Sequence, residues 1–200
     1  MLSDMIEENQ KACENVYKEA LKLFPYIKED EMRIDYSIAY QGAADFSISC
    51  KKSDMKEGRF DPSIRLGNQF LMLTPNKKRT VMIHEIGHYI HKLKKHPSIE
   101  RAKRLSRFTN EANFYNSHPY ISSALRFLSS KEKHKMGRLQ KWFIMKEVYA
   151  DNKTFEAGYG EHMLELLYMM EPGYAGLPKV FRKEIAARIN NLETKLGIPR

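Results

Sequence analysis

The chain has 200 residues, 42% hydrophobic and 30% charged, with 34 Lys and Arg against 25 Asp and Glu, a formal net charge of +9. That length and apolar content support one packed core over residues 1–200 without disulfide staples, and the lack of any apolar run near about 18 residues excludes a membrane-embedded helical protein. Two cysteines, Cys13 and Cys50, form no disulfide or metal pattern, and the first residues carry no charged-then-apolar signal; the expected compartment is the cytoplasm of a cell or of an infected host.

The first periodic stretch runs from residue 4 to about 24, where Ala12, Val16, Ala20 and Leu23 recur at helical spacing as part of an inner face and Pro25 follows. Between residues 32 and 73 the period shortens to two. Segments 32–38 and 45–49 alternate around a turn at Gly42, and 63–66 and 70–73 offer further strands, which together predict a small sheet. Next comes a helix with both borders marked: Thr74 and Pro75 at its start, Pro97 beyond its far end. Ile83, Ile86, Ile90 and Leu93 give it a buried stripe, while His84, His88 and His91 share another face. Gly87 in its interior costs about 1 kcal/mol relative to alanine, which predicts something packed close to the backbone there.

Residues 92 to about 140 are rich in Lys, Arg, Ser and Asn, with basic clusters at Lys92-Leu93-Lys94-Lys95 and Arg101-Ala102-Lys103-Arg104. Leu105, Phe108, Phe114, Leu125 and Phe127 predict helices in this stretch, divided by Pro97 and Pro119, as a basic helical insertion in the single domain. Its charge raises the expectation of an acidic partner, nucleic acid or protein, beside the plainer reading of solvated basic helices. A helix over 141–155 follows, carrying Trp142, Met145 and Tyr149, with Gly158 placed to terminate it. The remainder, 161–200, reads as two helices broken around Pro172 and Gly173, one packed by Met163, Leu164, Leu166, Leu167 and Met170, the other by Ile185, Ile189 and Leu192. The fold class is therefore α+β: a small mixed sheet with a mainly helical C-terminal half.

Chemistry concentrates in His84-Glu85-Ile86-Gly87-His88, an H-E-x-x-H pattern. Two imidazoles at i and i+4 project from one helix face, so both can reach one Zn²⁺ at roughly 2.0–2.1 Å, and Glu85 is placed to take a proton from a water activated there. Such a site needs a third protein ligand. The extended pattern H-E-x-x-H-x-x-G-x-x-H is excluded, because His91 stands at its glycine position and Lys94 at its last histidine. A glutamate on a later helix with an aspartate four residues on is the other solution, and Glu147 with Asp151 fits it, Asp151 orienting a ligating imidazole. Glu111 is the competing ligand but has no acidic residue four positions on. His91 reads as a supporting, a substrate-facing or a merely half-exposed histidine.

With these residues in place, the chain resembles the gluzincin clan of zinc metallopeptidases. The segment from Glu147 to Asp151, continuing through Phe155 to Gly160, is similar to the E-x-x-A-D block of M48-type (HtpX-like) peptidases, and the run from His84 to His91 also resembles the ImmA/IrrE and SprT-like zincins. The resemblance covers about 20 residues around the first motif and about 25 around the second, and leaves the middle of the chain aside. It implies a zincin-like fold and a zinc metalloendopeptidase acting on a protein or peptide, with His84, His88 and Glu147 as ligands and Glu85 as base. It also implies an edge strand beside the active helix that pairs with extended substrate. HtpX-like enzymes span membranes, which this chain's hydropathy does not allow, and ImmA/IrrE proteins carry a glutamate where this chain has Thr109, which argues against Glu111 as ligand.

Many gluzincins place a Tyr, His or Arg near the oxyanion; Tyr159, His162, Tyr174 and Arg182 are the candidates here. Two other classes stay open. A catalytically silent zinc-binding module would close its site with a fourth ligand such as His91 or His118, and a DNA-associated regulator would act through the basic segment. Cys50 as a latency ligand on the metal is a further expectation, set against that of an inert buried thiol.

Overall fold

The computed structural model describes residues 2–40, 42–49, 61–91, 130–176 and 179–199. Within them the chain is α+β, with six α-helices and a three-stranded mixed sheet. Helix α1 (Leu2–Leu21) opens the fold. Its buried face is Cys13, Tyr17, Ala20 and Leu21, continued by Phe24, whereas Ala12 is exposed and Leu23 is 44% exposed. The expected inner face is thus turned by about one residue. The reason is that Cys13 packs as an apolar residue and Tyr17 satisfies its hydroxyl by donating to the Glu29 carbonyl at 3.3 Å, so both are free to enter the core. Burial pushes the Cys13 thiol up to about 11.

After a 3₁₀ turn at Glu29–Glu31 come strands β1 (Arg33–Tyr36), β2 (Ala44–Ser49) and β3 (Asp61–Leu66). Their order is β1-β3-β2, with β1 parallel and β2 antiparallel to β3. Ile34, Tyr36, Ile64 and Leu66 bury the face on which α1 packs. The outer edge of β1 is closed by a side chain. Gln10 on α1 donates to the Ile34 carbonyl at 2.6 Å and accepts from the Tyr36 N–H at 2.7 Å, standing in for a neighbouring strand. Among the described residues β2 pairs only with β3, so its other side is a sheet edge.

Residues 70–73, expected to be strand, belong instead to a short helix, α2 (Asn68–Met72). Phe70 is fully buried while Met72 is 85% exposed, and the Phe70 N–H donates to the Gly67 carbonyl at 3.0 Å. With one inward anchor and polar Asn68 and Gln69 beside it, the segment makes a single turn rather than an alternating strand. Helix α3 (Pro75–Tyr89) starts where expected, with Thr74 at the N-cap in extended conformation and Pro75 at the first position. Its backbone widens to a π turn at Ile90 and His91. Residues 92–129, and with them most of the basic segment, Glu111 and His118, lie outside the described residues, as does Cys50.

Helix α4 spans Ser130–Glu156, so residues 130–140 belong to the helix that carries Glu147. Met145, expected inside, is 58% exposed; the buried face of α4 is Glu147, Ala150, Asp151 and Thr154, a mostly polar surface that an apolar period does not mark. The helix ends at Gly158 (φ 83°), with Gly158 N–H to Phe155 and Tyr159 N–H to Thr154, the bonds of a Schellman turn. Helices α5 (Gly160–Tyr174) and α6 (Lys179–Leu196) follow, the break coming just after Pro172 and Gly173. A second apolar cluster joins Met163, Leu164, Leu166 and Leu167 to Ile185, Ile189 and Leu192; Met170 stays 41% exposed.

Phe70 anchors α2 beneath α3. Phe70→Ala is expected to cost about 3–5 kcal/mol, read as a lower denaturation midpoint in urea. A change under about 1 kcal/mol would contradict the packing described.

Candidate metal centre

Gly87 faces α4. A Cβ there would lie 2.9 Å from the Ala150 Cα and 3.2 Å from its Cβ, so only glycine lets the two helices come this close. Three residues before Gly87 and one after it, His84 and His88 project toward α4; three residues before Ala150 and one after it, Glu147 and Asp151 project back. All four are buried, as is Glu85.

Glu147 Oε2 lies 3.2 Å from His84 Nε2 and 3.3 Å from His88 Nε2. The two imidazoles meet edge to face at 4.7 Å between ring centres. On the far side of His84, Nδ1 is 2.9 Å from Asp151 Oδ1, near enough to hold a proton there although the approach is off the ideal N–H axis. Asp151 is gripped in turn by Arg188 of α6, whose Nε donates to Oδ2 at 2.8 Å and whose second terminal nitrogen donates to Oδ1 at 2.9 Å. Arg188 also donates to Glu184 at 3.0 Å and stands 3.7 Å from Glu147. Lys146 Nζ is 3.2 Å from Glu147 Oε1 and lies over the Phe143 ring at 4.6 Å.

These contacts set the protonation states. Burial works against a charged His84, but hydrogen bonds it donates to the Asp151 and Glu147 carboxylates outweigh it and raise the imidazole to about 9. Burial lowers His88 to about 3, against the pull of Glu147. Burial pushes Glu85 up to about 7, opposed by His84 and reinforced by Glu147 and Asp45. Burial would raise Glu147 as well, yet His88 and Lys146 hold it well below the usual carboxylate range; Arg188 does the same for Asp151.

Two features fit this cluster to a divalent cation. His84, Glu85 and His88 offer ligand atoms all within 4.8 Å of one another, so the buried group can hold a metal ion. Donor atoms at roughly 2.0–2.1 Å from a tetrahedral ion stand about 3.3 Å apart, which matches the spacing of Glu147 Oε2 from both imidazoles. With Asp151 beside Nδ1, His84 meets Glu147 Oε2 either through a proton on Nε2, as its raised pKa favours when no metal is bound, or with that nitrogen's lone pair turned to a cation between them.

The centre opens on a cleft of about 550 Å³ lined by Tyr40, Ala44 and Asp45 on the β2 side, by Met163 and Leu166 of α5, and by Glu85, Lys146 and Arg188 around the histidines. The expected oxyanion groups are placed elsewhere. Tyr159 and His162 face each other at the start of α5 with rings 6.2 Å apart, and Arg182 is exposed; none of the three lines the cleft. They were named for their residue types, as the resemblance implies, and their side chains do not line the cleft; the Tyr174 side chain lies outside the described residues. His91 packs its ring on Tyr149 at 4.8 Å and does not line the cleft. Sequence reasoning missed Arg188, Lys146 and Tyr40. Arg188 had a signal, a charged residue inside the stripe of Ile185, Ile189 and Leu192. Compared with known protein families, curated proteins and solved structures, the chain matches none.

Two sets of variants test this geometry. Asp151→Asn is expected to weaken zinc binding by about 10–100-fold in a chelator-competition titration, and Arg188→Met to weaken it in the same direction by freeing the Asp151 carboxylate. Gly87→Ala should lower both zinc affinity and thermal stability, the latter by about 1–3 kcal/mol, because the helices must separate. Unchanged affinity in Gly87→Ala would show that the approach of α3 and α4 does not set the site.

Proposed function

We propose that the chain is a zinc-dependent metalloendopeptidase with a zincin-like arrangement of sheet, active helix and ligand helix. The observation that carries it is the convergence of one Glu147 oxygen on both histidine Nε2 atoms, with the Glu85 carboxylate beside them in an open cleft. Zn²⁺ held by His84, His88 and Glu147 would supply Lewis acidity, polarising a peptide carbonyl and making a water nucleophilic near neutral pH.

The remaining work falls to side chains and backbone. Glu85 accepts the proton of the attacking water and returns it to the nitrogen of the leaving amine, so no net proton is consumed. Asp151, braced by Arg188, keeps the His84 ring turned toward α4. The edge of β2 runs along the cleft from Ala44 and offers main-chain donors and acceptors to an extended peptide. Lys146 and Arg188 add positive charge close to where a tetrahedral oxyanion would form.

Elemental analysis tests the reading. About one zinc per chain is expected in the wild type and in Glu85→Gln, and much less in Glu147→Ala. Glu85→Gln should lose hydrolysis of an unfolded protein such as casein while keeping its metal. A wild type that takes up no zinc when it is supplied would overturn the proposal and turn attention to the basic segment as a binding surface.

A further inference from the structure

The cleft has two unlike walls. On one, Gly42, Ala43 and Ala44 carry at most a methyl group each and present backbone, flanked by the side chains of Tyr40 and Asp45. On the other, among the described residues, stand the apolar Leu73, Val81, Met163, Leu166, Met169 and Met170; Gln69 also lines the cleft, and Lys77 Nζ reaches Met169 Sδ at 3.2 Å. Met163, Leu166 and Met170 follow one another at i, i+3 and i+7, so α5 turns a single apolar face into the cleft. Met163 and Leu166 are buried, and Met169 and Met170 are 63% and 41% exposed. Among the described residues, the charged groups lining the cleft come from β2, α3, α4 and α6, and none comes from α5.

We propose that the α5 wall is a pocket for one long apolar side chain, leucine, methionine or phenylalanine, adjoining the scissile bond of an extended peptide. This rests on the metallopeptidase reading and gives its substrate class. The Gly42–Ala44 stretch meets a peptide through its backbone, whereas the wall opposite meets it through apolar side chains and selects on that ground. There a charged side chain would lose its hydration with no partner in return, whereas an apolar one removes water from both surfaces. The methionines determine breadth: unbranched and polarisable, they repack around branched, straight or aromatic side chains instead of fitting one. Exposed methionines beside a buried apolar base are what a pocket offers before a ligand covers it.

The test uses zinc-loaded wild type and calorimetric titration with acetohydroxamate, a chelating probe with no side chain, and with the hydroxamates of N-acetyl-leucine, -methionine, -phenylalanine and -aspartate. The three apolar probes are expected to bind about tenfold or more tightly than the aspartate probe and than acetohydroxamate. Met170→Glu, a change at a position already exposed, should remove most of the leucine probe's advantage. Acetohydroxamate binding with no gain from any apolar side chain would overturn the pocket and leave the metal centre standing. Failure of acetohydroxamate itself to bind would overturn the metallopeptidase reading and the pocket with it.

Discussion

The distance between α3 and α4 governs the rest of this structure. At Gly87 and Ala150 the two backbones are nearly in contact, and each flanking turn contributes its polar residues to the same small volume. Two imidazoles cannot share a carboxylate oxygen at 3.2 and 3.3 Å unless their helices cross this closely. The position costs helix propensity locally and is retained because any larger residue would move Glu147 and Asp151 off the histidines.

Such closeness concentrates charge. Burying carboxylates is costly unless each finds a partner, and here the partners come from two directions: Arg188 from α6 for Asp151 and Glu184, Lys146 from α4 itself for Glu147. At the remaining contact, Glu147 Oε2 faces both imidazole Nε2 atoms, and there either a proton on His84 or a bound cation supplies the positive charge. A bound cation would then act as part of the packing between α3, α4 and α6 as well as of the chemistry, and folding and metal binding would be linked.

How much of this was legible depends on whether a pattern was local. His84, Glu85 and His88 declare themselves by spacing, and Glu147 with Asp151 by the same helical offset, so the elements and most of the centre could be read from residues a turn apart. The α3 stripe of Ile83, Ile86 and Ile90 is buried as the period implies. Long-range facts were not legible. Which face of α1 turns inward depends on Tyr17 finding the Glu29 carbonyl, and residues 70–72 close a short helix in which Phe70 is fully buried, Leu71 partly so and Met72 faces out. Arg188 was hidden because a buried arginine looks like an interruption of an apolar stripe until Asp151 is seen opposite it. Tyr159, His162 and Arg182 were named by residue type, and residue type does not say which way a helix turns a side chain.

The turn between α4 and α5 carries a mechanical consequence. Three residues, Ala157 to Tyr159, join the two helices, with Gly158 in the left-handed conformation and both Schellman bonds made. A joint so short and so fully bonded transmits rotation instead of absorbing it. The helix that holds Glu147 and the helix that forms the apolar wall therefore behave as two arms of one bent lever. A displacement of the α5 wall would be felt as torque on the Glu147 carboxylate, so the apolar face of the cleft and the setting of that side chain are tuned together.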